Sequence, residues 1–396
     1  MRTYRGLFRA PEFTPLFLSS AGQTAAQTVS GLALGTLVYT ATGSPLLSSL
    51  AMFGPALAQV IGATTLLSAA DRLPPRVALT GLTAVSGLGT AAQAVPGLPG
   101  WAIFGIVLVL GTLAALGGGV RYGLLNEILE RDGYLLGRSV LNVSAGIVQI
   151  CGFAGGGVLV TALSPRGALL AGAVLYLVSA ASARFGLSHR PPRATGRPSA
   201  IATWRDNARL WSSKPRRHVY LALWVPNGLI VGCESLFIPY APRYAGLLFA
   251  CGAVGMLIGD VWAGRFVSRR RRGRLGVPLC LLLALPYLIF ALDPPLPLAL
   301  AAVTVAAVGY AAGLLLQERL MELTPDELSG HALGLHSSGM ITMQGVSSAL
   351  AGALAQYTTA STAMAVMAAA SVAVTLILAP GLRPGHRGAR TTPSRV

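Results

Sequence analysis

The chain has 396 residues, of which 53% are hydrophobic and only 11% are charged, and its formal net charge is +17. A soluble globular protein carries about 25% charged residues, so this composition excludes a water-soluble fold and indicates a surface that faces lipid. The basic excess does not indicate a nucleic-acid partner, because the basic residues form short clusters between apolar runs, as membrane topology requires.

An apolar stretch of about 20 residues crosses a bilayer as a helix. The first half of the chain predicts six spans, near Phe13–Tyr39, Pro45–Ala69, Val77–Val95, Trp101–Tyr122, Leu135–Ala162 and Gly167–Leu187. After a polar, basic stretch, the second half predicts six more, near Val219–Tyr240, Tyr244–Phe266, Leu275–Leu292, Leu296–Gln317, Gly330–Tyr357 and Ala360–Leu382. The sequence therefore predicts an all-α polytopic membrane protein with twelve transmembrane helices.

An internal repeat divides these spans into two halves. A shift of 193 residues places Gly62 on Gly255, Arg72 on Arg265, Arg76 on Arg269, and Gly152 on Gly345. Because each half has an even number of spans, the halves run parallel and are related by an axis along the membrane normal. We expect an N-terminal six-helix bundle over 1–187, a basic linker over 188–217, a C-terminal six-helix bundle over 218–382, and a basic tail over 383–396.

The distribution of charge predicts the orientation of the chain. If the N-terminus lies inside, only Arg166 and Arg243 of the 30 lysines and arginines fall in loops on the outer side. Positive residues accumulate in cytoplasmic loops. We therefore expect a multi-pass protein of a bacterial cell membrane, with both termini in the cytoplasm.

A short loop signature follows the second predicted span. The run from Ala70 to Arg76 follows a pattern of an Asp-Arg pair, one spacer, then Gly and basic residues, and Asp71, Arg72 and Arg76 match it. Together with the six-plus-six plan and the basic linker, this loop resembles the major facilitator superfamily over nearly the whole chain. The prolines Pro74 and Pro75 depart from the family pattern.

Two further motifs carry the same resemblance. Gly264 and Arg265 form a second copy of the loop signature that lacks the acidic residue. The fifth span contains Gly152-Phe153-Ala154-Gly155-Gly156-Gly157, which looks like the glycine-rich motif of drug:proton antiporters without its Gly-Pro pair. The resemblance implies two bundles that rock about a central site, so that the site is accessible from each side of the membrane in turn.

The resemblance also implies residues that brace the inner face. Asp71 would face the N-terminus of the eleventh span, where a carboxylate is favoured by the helix dipole, and Arg72, Arg76 and Arg265 would support the same gate. Arg121 and Arg319 stand at the inner ends of the fourth and tenth spans. They either close an inner gate, bind an anionic substrate, or extend toward the lipid headgroups. Asp260, five residues before Arg265, is expected to form a local ion pair with it.

Polar residues inside a span are costly in lipid and are expected to face a cavity. Glu234 lies in the seventh span with Asn227 seven residues earlier, so both lie on one helix face. A carboxyl group in such a position is suited to bind a proton or a cation. Glu234 therefore either binds a proton or a cation, or forms a structural hydrogen bond to a neighbouring helix.

Other polar side chains repeat this pattern more weakly. They are Gln23 and Gln27 on the first span, Asn142 and Gln149 on the fifth, and His336 and Gln344 on the eleventh. Each set indicates either cavity lining or hydrogen bonds between helices. No metal-ligand spacing or phosphate-binding loop is present in the sequence, so we expect no cofactor.

These features predict a secondary transporter, most simply a proton-coupled exporter of a small amphiphilic or drug-like compound, acting as a monomer. An uptake carrier for a metabolite is the first alternative. Two further alternatives belong to a different functional class. One is a membrane enzyme that uses Glu127, Glu130 and Asp132 near the inner face, and the other is a sensor that does not transport.

Overall fold

The protein is helical throughout the part of the chain that the structure describes. A computed structural model describes residues 4–65, 73–129, 131–191 and 200–382, and no strand occurs among them. The long helices are α1 (Phe13–Thr42), α2 (Pro45–Thr65), α3 (Pro75–Gln93), α4 (Gly100–Ile128), α5 (131–163), α6 (165–186), α7 (Lys214–Glu234), α8 (Ala245–Phe266), α9 (Arg269–Ala284), α10 (Leu296–Glu322), α11 (Ser329–Tyr357) and α12 (Ala360–Leu382). Helices satisfy every backbone polar group internally, which lipid demands.

Shorter elements connect or modify these helices. Short α-helices cover Tyr4–Phe8, Ala200–Ser212 in the linker, and Phe237–Tyr240 after α7. A 3-10 segment, Leu285–Leu292, extends α9, and another, Gly309–Ala311, interrupts α10. The seventh helix begins at Lys214, five residues before the predicted start at Val219.

The boundary between α5 and α6 lies where the sequence predicts a loop. The helical run Arg131–Gly186 contains Ser164 with φ 75° and ψ 163°, directly before Pro165. A residue that precedes proline is driven out of the helical region, and proline opens the next helix readily. The break therefore separates two helices within one continuous run.

Eight helical segments in the described residues are long and apolar enough to cross a membrane. One of them, Leu136–Gly186, is 51 residues long and contains the break at Ser164. The helices α1, α3 and α11 are 30, 19 and 29 residues long but are not among the eight, because they carry more polar residues. The fold is thus a multi-helix membrane architecture, and the count of twelve spans stays a prediction.

Helix contacts show how the two halves of the chain meet. Within the first half α1 packs on the α5–α6 run and α2 on α4, and within the second half α7 packs on α11 and α12 and α8 on α10. Between the halves, α2 packs on α11 and α5 packs on α8. These two pairs are equivalent under the internal repeat, since exchanging the halves turns one pair into the other.

The repeat extends to individual packing contacts. A Cβ atom added to Gly62 would lie 2.1 Å from the carbonyl oxygen of Thr112 and 2.9 Å from Ala115 Cβ. A Cβ added to Gly255 would lie 2.2 Å from the carbonyl oxygen of Thr304 and 2.7 Å from Ala307 Cβ. In both halves, therefore, a glycine of the second helix lets it approach the fourth helix at the same depth.

We expect Gly62→Ala and Gly255→Ala each to destabilise the protein, by about 1–3 kcal/mol from overpacking. In Gly264→Ala, the added methyl group meets nothing within 4 Å, and we expect a gain of up to about 1 kcal/mol from helix propensity. Thermal unfolding in detergent, followed by circular dichroism, distinguishes these opposite signs. If all three substitutions raised the unfolding temperature, the repeated close approach would be absent.

The molecule has two distinct ends. The short connections at residues 43–44, 94–99, 241–244, 293–295 and 358–359 define the short-loop end. The linker and the basic starts of α7 and α9 define the basic end. Two hydrogen bonds join the halves at the short-loop end, from Ser49 Oγ to the Ser235 carbonyl oxygen at 3.3 Å and from Gln356 Nε2 to Ser44 Oγ at 2.9 Å.

Candidate substrate cavity

A cavity of about 420 Å³ lies between the halves of the molecule. Helices of the second half provide most of its wall, and Phe53 of α2 with Gln149 and Phe153 of α5 complete it from the first half. It extends from Glu234 toward Asp260 and Gln317, which lie near the basic ends of α8 and α10. A concave, mostly apolar site with a few polar groups is the usual form of a small-molecule site.

Glu234 is the carboxyl group at the end of this cavity that lies toward the short-loop end of the molecule. It is 8% exposed at the end of α7, and Tyr310 of α10 donates a hydrogen bond from its hydroxyl group to Glu234 Oε1 at 2.9 Å. None of the basic side chains of the described residues forms an ion pair with Glu234. A buried carboxyl group without a fixed counter-ion can exchange a proton, because its charge is not already balanced by the protein.

Two amide side chains form a polar pair beside this carboxyl group. Gln344 of α11 donates a hydrogen bond from Nε2 to Asn227 Oδ1 of α7 at 3.1 Å, and both residues line the cavity. Pro226, which precedes Asn227, removes one backbone donor from α7. The pair leaves the Gln344 Oε1 and Asn227 Nδ2 atoms available to a polar group of a substrate.

His336 lies on the same face of α11 as the amide pair, two turns nearer the basic end. Its side chain is 8% exposed and lines the cavity, and its Nδ1 atom is buried without a hydrogen-bond partner. The backbone carbonyl of His336 accepts a hydrogen bond from Trp224 Nε1 at 3.0 Å, which fixes this part of α11 against α7. The unpartnered ring nitrogen adds a second polar group to the cavity wall.

The remaining predicted cavity residues do not line this cavity. Gln23 accepts a hydrogen bond from the guanidinium group of Arg121, and Asn142 Oδ1 accepts one from the Tyr122 hydroxyl group at 3.1 Å. Gln27 is exposed on α1. The structure thus brings together Gln149, Asn227, Glu234, His336 and Gln344, and it separates the polar residues of α1 and Asn142 from them.

The residues predicted to form an inner gate do not lie together in the described part of the chain. Asp71 and Arg72 lie outside the described residues. Arg319 donates a hydrogen bond to the backbone carbonyl of Leu382, and the Arg265 guanidinium group lies 6.0 Å from the ring centroid of Phe266. The ion pair expected between Asp260 and Arg265 is wrong, because Asp260 lies in the cavity wall and Arg265 lies over an aromatic ring instead.

Of the inner-face acidic residues Glu127, Glu130 and Asp132, the structure describes the side chain of Glu127 alone. Glu127 lies 3.6 Å from the Arg190 guanidinium group, which also pairs with Glu12 at 2.9 Å. Glu130 lies outside the described residues. The pairs tie the start of the linker to the beginning of the chain and to α4.

Sequence reasoning did not identify Tyr310, which is the hydrogen-bond partner of Glu234. A single signal was present, since Tyr310 follows Gly309 inside an otherwise aliphatic span. The stacked rings of Phe153 and Phe249, 4.7 Å apart between α5 and α8, were also not identified. These rings form the apolar wall where the two halves meet.

Helices long enough to cross a membrane, a shared cavity between two repeat-related halves, and buried polar groups in its wall define a membrane carrier of small molecules. A family model described as Major Facilitator Superfamily matches residues 16–318, and the chain belongs to that family. The protein is therefore a multi-pass membrane transporter rather than an enzyme. No curated protein matches the sequence.

Solved structures of transporters share the fold. A mutant form of the nucleoside transporter NupG has 11% identity, with 93% of this chain and 99% of that chain covered at a TM-score of 0.79. A POT family transporter in complex with a thioalcohol-conjugated peptide has 11% identity, with 94% and 96% covered at 0.73. A bacterial homologue of the human lysosomal transporter Spinster, described as inward-facing and unoccupied, has 12% identity, with 95% and 96% covered at 0.68. Identities this low establish the fold alone.

Proposed function

We propose that this chain exports a small amphiphilic compound from the cytoplasm in exchange for protons, by alternating access of two six-helix bundles with twelve spans in all. In this proposal the basic end faces the cytoplasm of a bacterial cell, following the positive-inside rule. The protein works as a monomer, because the cavity is complete within one chain.

The observation that carries the proposal is the buried carboxyl group of Glu234, hydrogen-bonded to Tyr310 in the wall of the cavity between the halves. A charged carboxylate in such a place has lost most of its hydration. Proton uptake removes that charge, and binding of a cationic or polar substrate compensates it. The two ligands therefore compete for one group, which is the basis of exchange.

The shape and lining of the cavity support an amphiphilic substrate loaded from the basic end. Phe53, Phe153 and Phe249 provide aromatic surface, and Met256 and Met340 add flexible apolar side chains that accept varied shapes. Asp260, exposed near the basic end, places a negative charge at the entrance. The contacts between Ser49 and Ser235 and between Gln356 and Ser44 close the opposite end.

Everted membrane vesicles provide the test of this function. We expect vesicles that contain the protein to accumulate ethidium, a lipophilic cation, when respiration acidifies their interior, and to release it when an uncoupler removes the gradient. Vesicles without the protein serve as the control. If ethidium and a panel of other amphiphilic dyes, cationic and neutral, all moved equally in both preparations, export of this substrate class would be excluded.

Uptake of a polar metabolite is the second candidate, and the polar groups of α7 and α11 favour it. The amide pair of Asn227 and Gln344 and the free Nδ1 of His336 offer donors and acceptors that a hydroxylated or peptide-like solute requires. The NupG structure is that of a nucleoside transporter and the POT structure that of a transporter with a bound peptide. Whole cells given radiolabelled uridine or dialanine, with and without the protein, would distinguish this candidate from export.

A further inference from the structure

Two basic pockets lie at the basic end of the molecule, outside the substrate cavity. The first, of about 290 Å³, lies between α3 and α6 and is lined by Arg76, Val77, Thr80, Gly81, Arg184 and His189. The second, of about 270 Å³, lies among α9, α10 and α12, and its basic side chains are Arg272, Arg274 and Arg319. We call them the α3–α6 pocket and the α9–α12 pocket.

The internal repeat relates the two pockets. Under the same shift of 193 residues, Thr80 falls on Gly273, Gly81 on Arg274, and His189 on Leu382, and each of these second-half residues lines the α9–α12 pocket. The first residue of each pair lines the α3–α6 pocket. Because the pockets occupy equivalent places in the two halves, they are a feature of the repeated unit and not an accident of one loop.

The α3–α6 pocket holds hydrogen-bond donors that the protein leaves unused. The Nε atom of Arg76 and the Oγ1 atom of Thr80 are buried and have no hydrogen-bond partner. Buried donors without a partner are costly and indicate a missing acceptor. The side chains of Arg184 and His189 are exposed at the edge of the same pocket. Among the described residues, the lining contains no acidic side chain, and cationic donors without an acidic partner favour an anion as the acceptor.

The α9–α12 pocket has a similar excess of positive charge. Arg272 is paired with Glu318 at 3.1 Å, and Arg319 donates to the Leu382 carbonyl oxygen. Arg274 is exposed at the rim of the pocket. Three arginines and two neighbouring carboxylates, Glu318 and Glu322, leave a net positive charge among the described residues. Arginine is the side chain best suited to bind phosphate oxygens with two parallel hydrogen bonds.

We propose that these pockets bind the phosphate groups of anionic phospholipids, one in each half of the transporter. Both pockets combine the arginines with apolar surface, namely Val77 in one and Val277, Leu315 and Leu316 in the other. Cationic groups beside an apolar wall fit a lipid headgroup and the start of its acyl chain. Basic pockets between helices on the cytoplasmic side are the places where anionic headgroups bind.

Native mass spectrometry of the delipidated protein with added dioleoylphosphatidylglycerol tests the proposal. We expect the wild type to retain two phosphatidylglycerol molecules, Arg184→Gln or Arg274→Gln to retain one, and the double variant to retain none. The affinity of each altered site should fall about tenfold, which is the usual effect of losing one charge-assisted hydrogen bond. Arg205→Gln at the basic end and Arg243→Gln at the short-loop end are matched controls and should retain two.

Three outcomes would overturn the proposal. They are equal retention of dioleoylphosphatidylcholine, displacement of the lipid by inorganic phosphate at equal concentration, and retention of two lipids by the glutamine variants. Should the glutamine variants fail to fold, Arg184→Lys and Arg274→Lys keep the positive charge and replace them in the test. These lysine variants should bind phosphatidylglycerol more weakly than wild type, since they lose the paired hydrogen bonds, and unchanged binding would reject the sites.

Discussion

Glu234→Gln is expected to abolish transport driven by a pH gradient while the protein remains folded. In the wild type, the Tyr310 hydroxyl group donates a hydrogen bond to Glu234 Oε1 at 2.9 Å. Glutamine has the shape of glutamic acid and keeps an oxygen that accepts this hydrogen bond. It cannot take up or release a proton. If exchange of a proton for substrate occurs at this group, the pH gradient no longer drives transport in the variant.

Purified protein in liposomes separates coupling from binding. The variant should show no ethidium accumulation when a pH gradient is imposed. It should still exchange labelled for unlabelled ethidium at equal pH, because exchange needs no net proton movement, but only at higher ethidium concentrations, because the carboxylate that compensates the cation is gone. Glu318→Gln makes the same chemical change outside the cavity, at a residue that pairs with Arg272, and should behave like wild type. Accumulation by Glu234→Gln with unchanged dependence on the gradient would remove Glu234 from the mechanism.

The positions of the helices follow from local properties of the sequence. Apolar runs interrupted by Gly, Pro and charged residues indicate where each helix ends, and Ser164 before Pro165 breaks the run between the predicted fifth and sixth spans. The position of Asn227 and Glu234 on one face of α7 also follows from the local sequence, since seven residues make about two helical turns. Both residues line the cavity.

The partners of these residues do not follow from local properties. Tyr310 is 76 residues from Glu234, and Gln344 is 117 residues from Asn227. Only the packing of α7 against α10 and α11 brings them together. The first helix shows the same difficulty, because Gln23 and Gln27 fit either a cavity or a helix contact by spacing alone. The structure resolves that choice for Gln23, whose oxygen is bonded to Arg121 of α4.

Gly246→Val is expected to reduce transport about fivefold or more by holding the short-loop end open. Gly246 of α8 faces Gly157 of α5, and an added Cβ would lie 2.7 Å from Gly157 Cα and 2.8 Å from the Phe153 carbonyl oxygen. Both are backbone atoms, so no side chain can move aside. Overpacking of this kind costs about 1–3 kcal/mol, and each 1.4 kcal/mol changes a two-state equilibrium about tenfold.

The steric overlap caused by the valine side chain destabilises one conformation of the carrier and not the other. The α5–α8 contact and the hydrogen bond from Ser49 to the Ser235 carbonyl oxygen both lie at the short-loop end, and under the proposed alternating access we expect both in the state that is closed at that end. Opening that end relieves the clash, so the variant should favour the open state and still fold. Gly155→Val is the matched control on α5, because a Cβ at Gly155 meets nothing within 4 Å.

Labelling of Ser235→Cys, in a protein whose four native cysteines are replaced by alanine, measures which state is populated. Ser235 is 1% exposed, so an impermeant maleimide added from the short-loop side should react slowly with it in the otherwise unchanged protein. In combination with Gly246→Val the reaction should be about tenfold faster, whereas Gly155→Val should leave the slow rate unchanged.

Slow labelling together with lost transport would mean that the valine damages the fold and does not hold the end open. Normal transport would show that the two glycines need not meet. We therefore expect the close approach of Gly157 and Gly246 to be required for closure of the short-loop end, because only residues without side chains let α5 and α8 meet at that point.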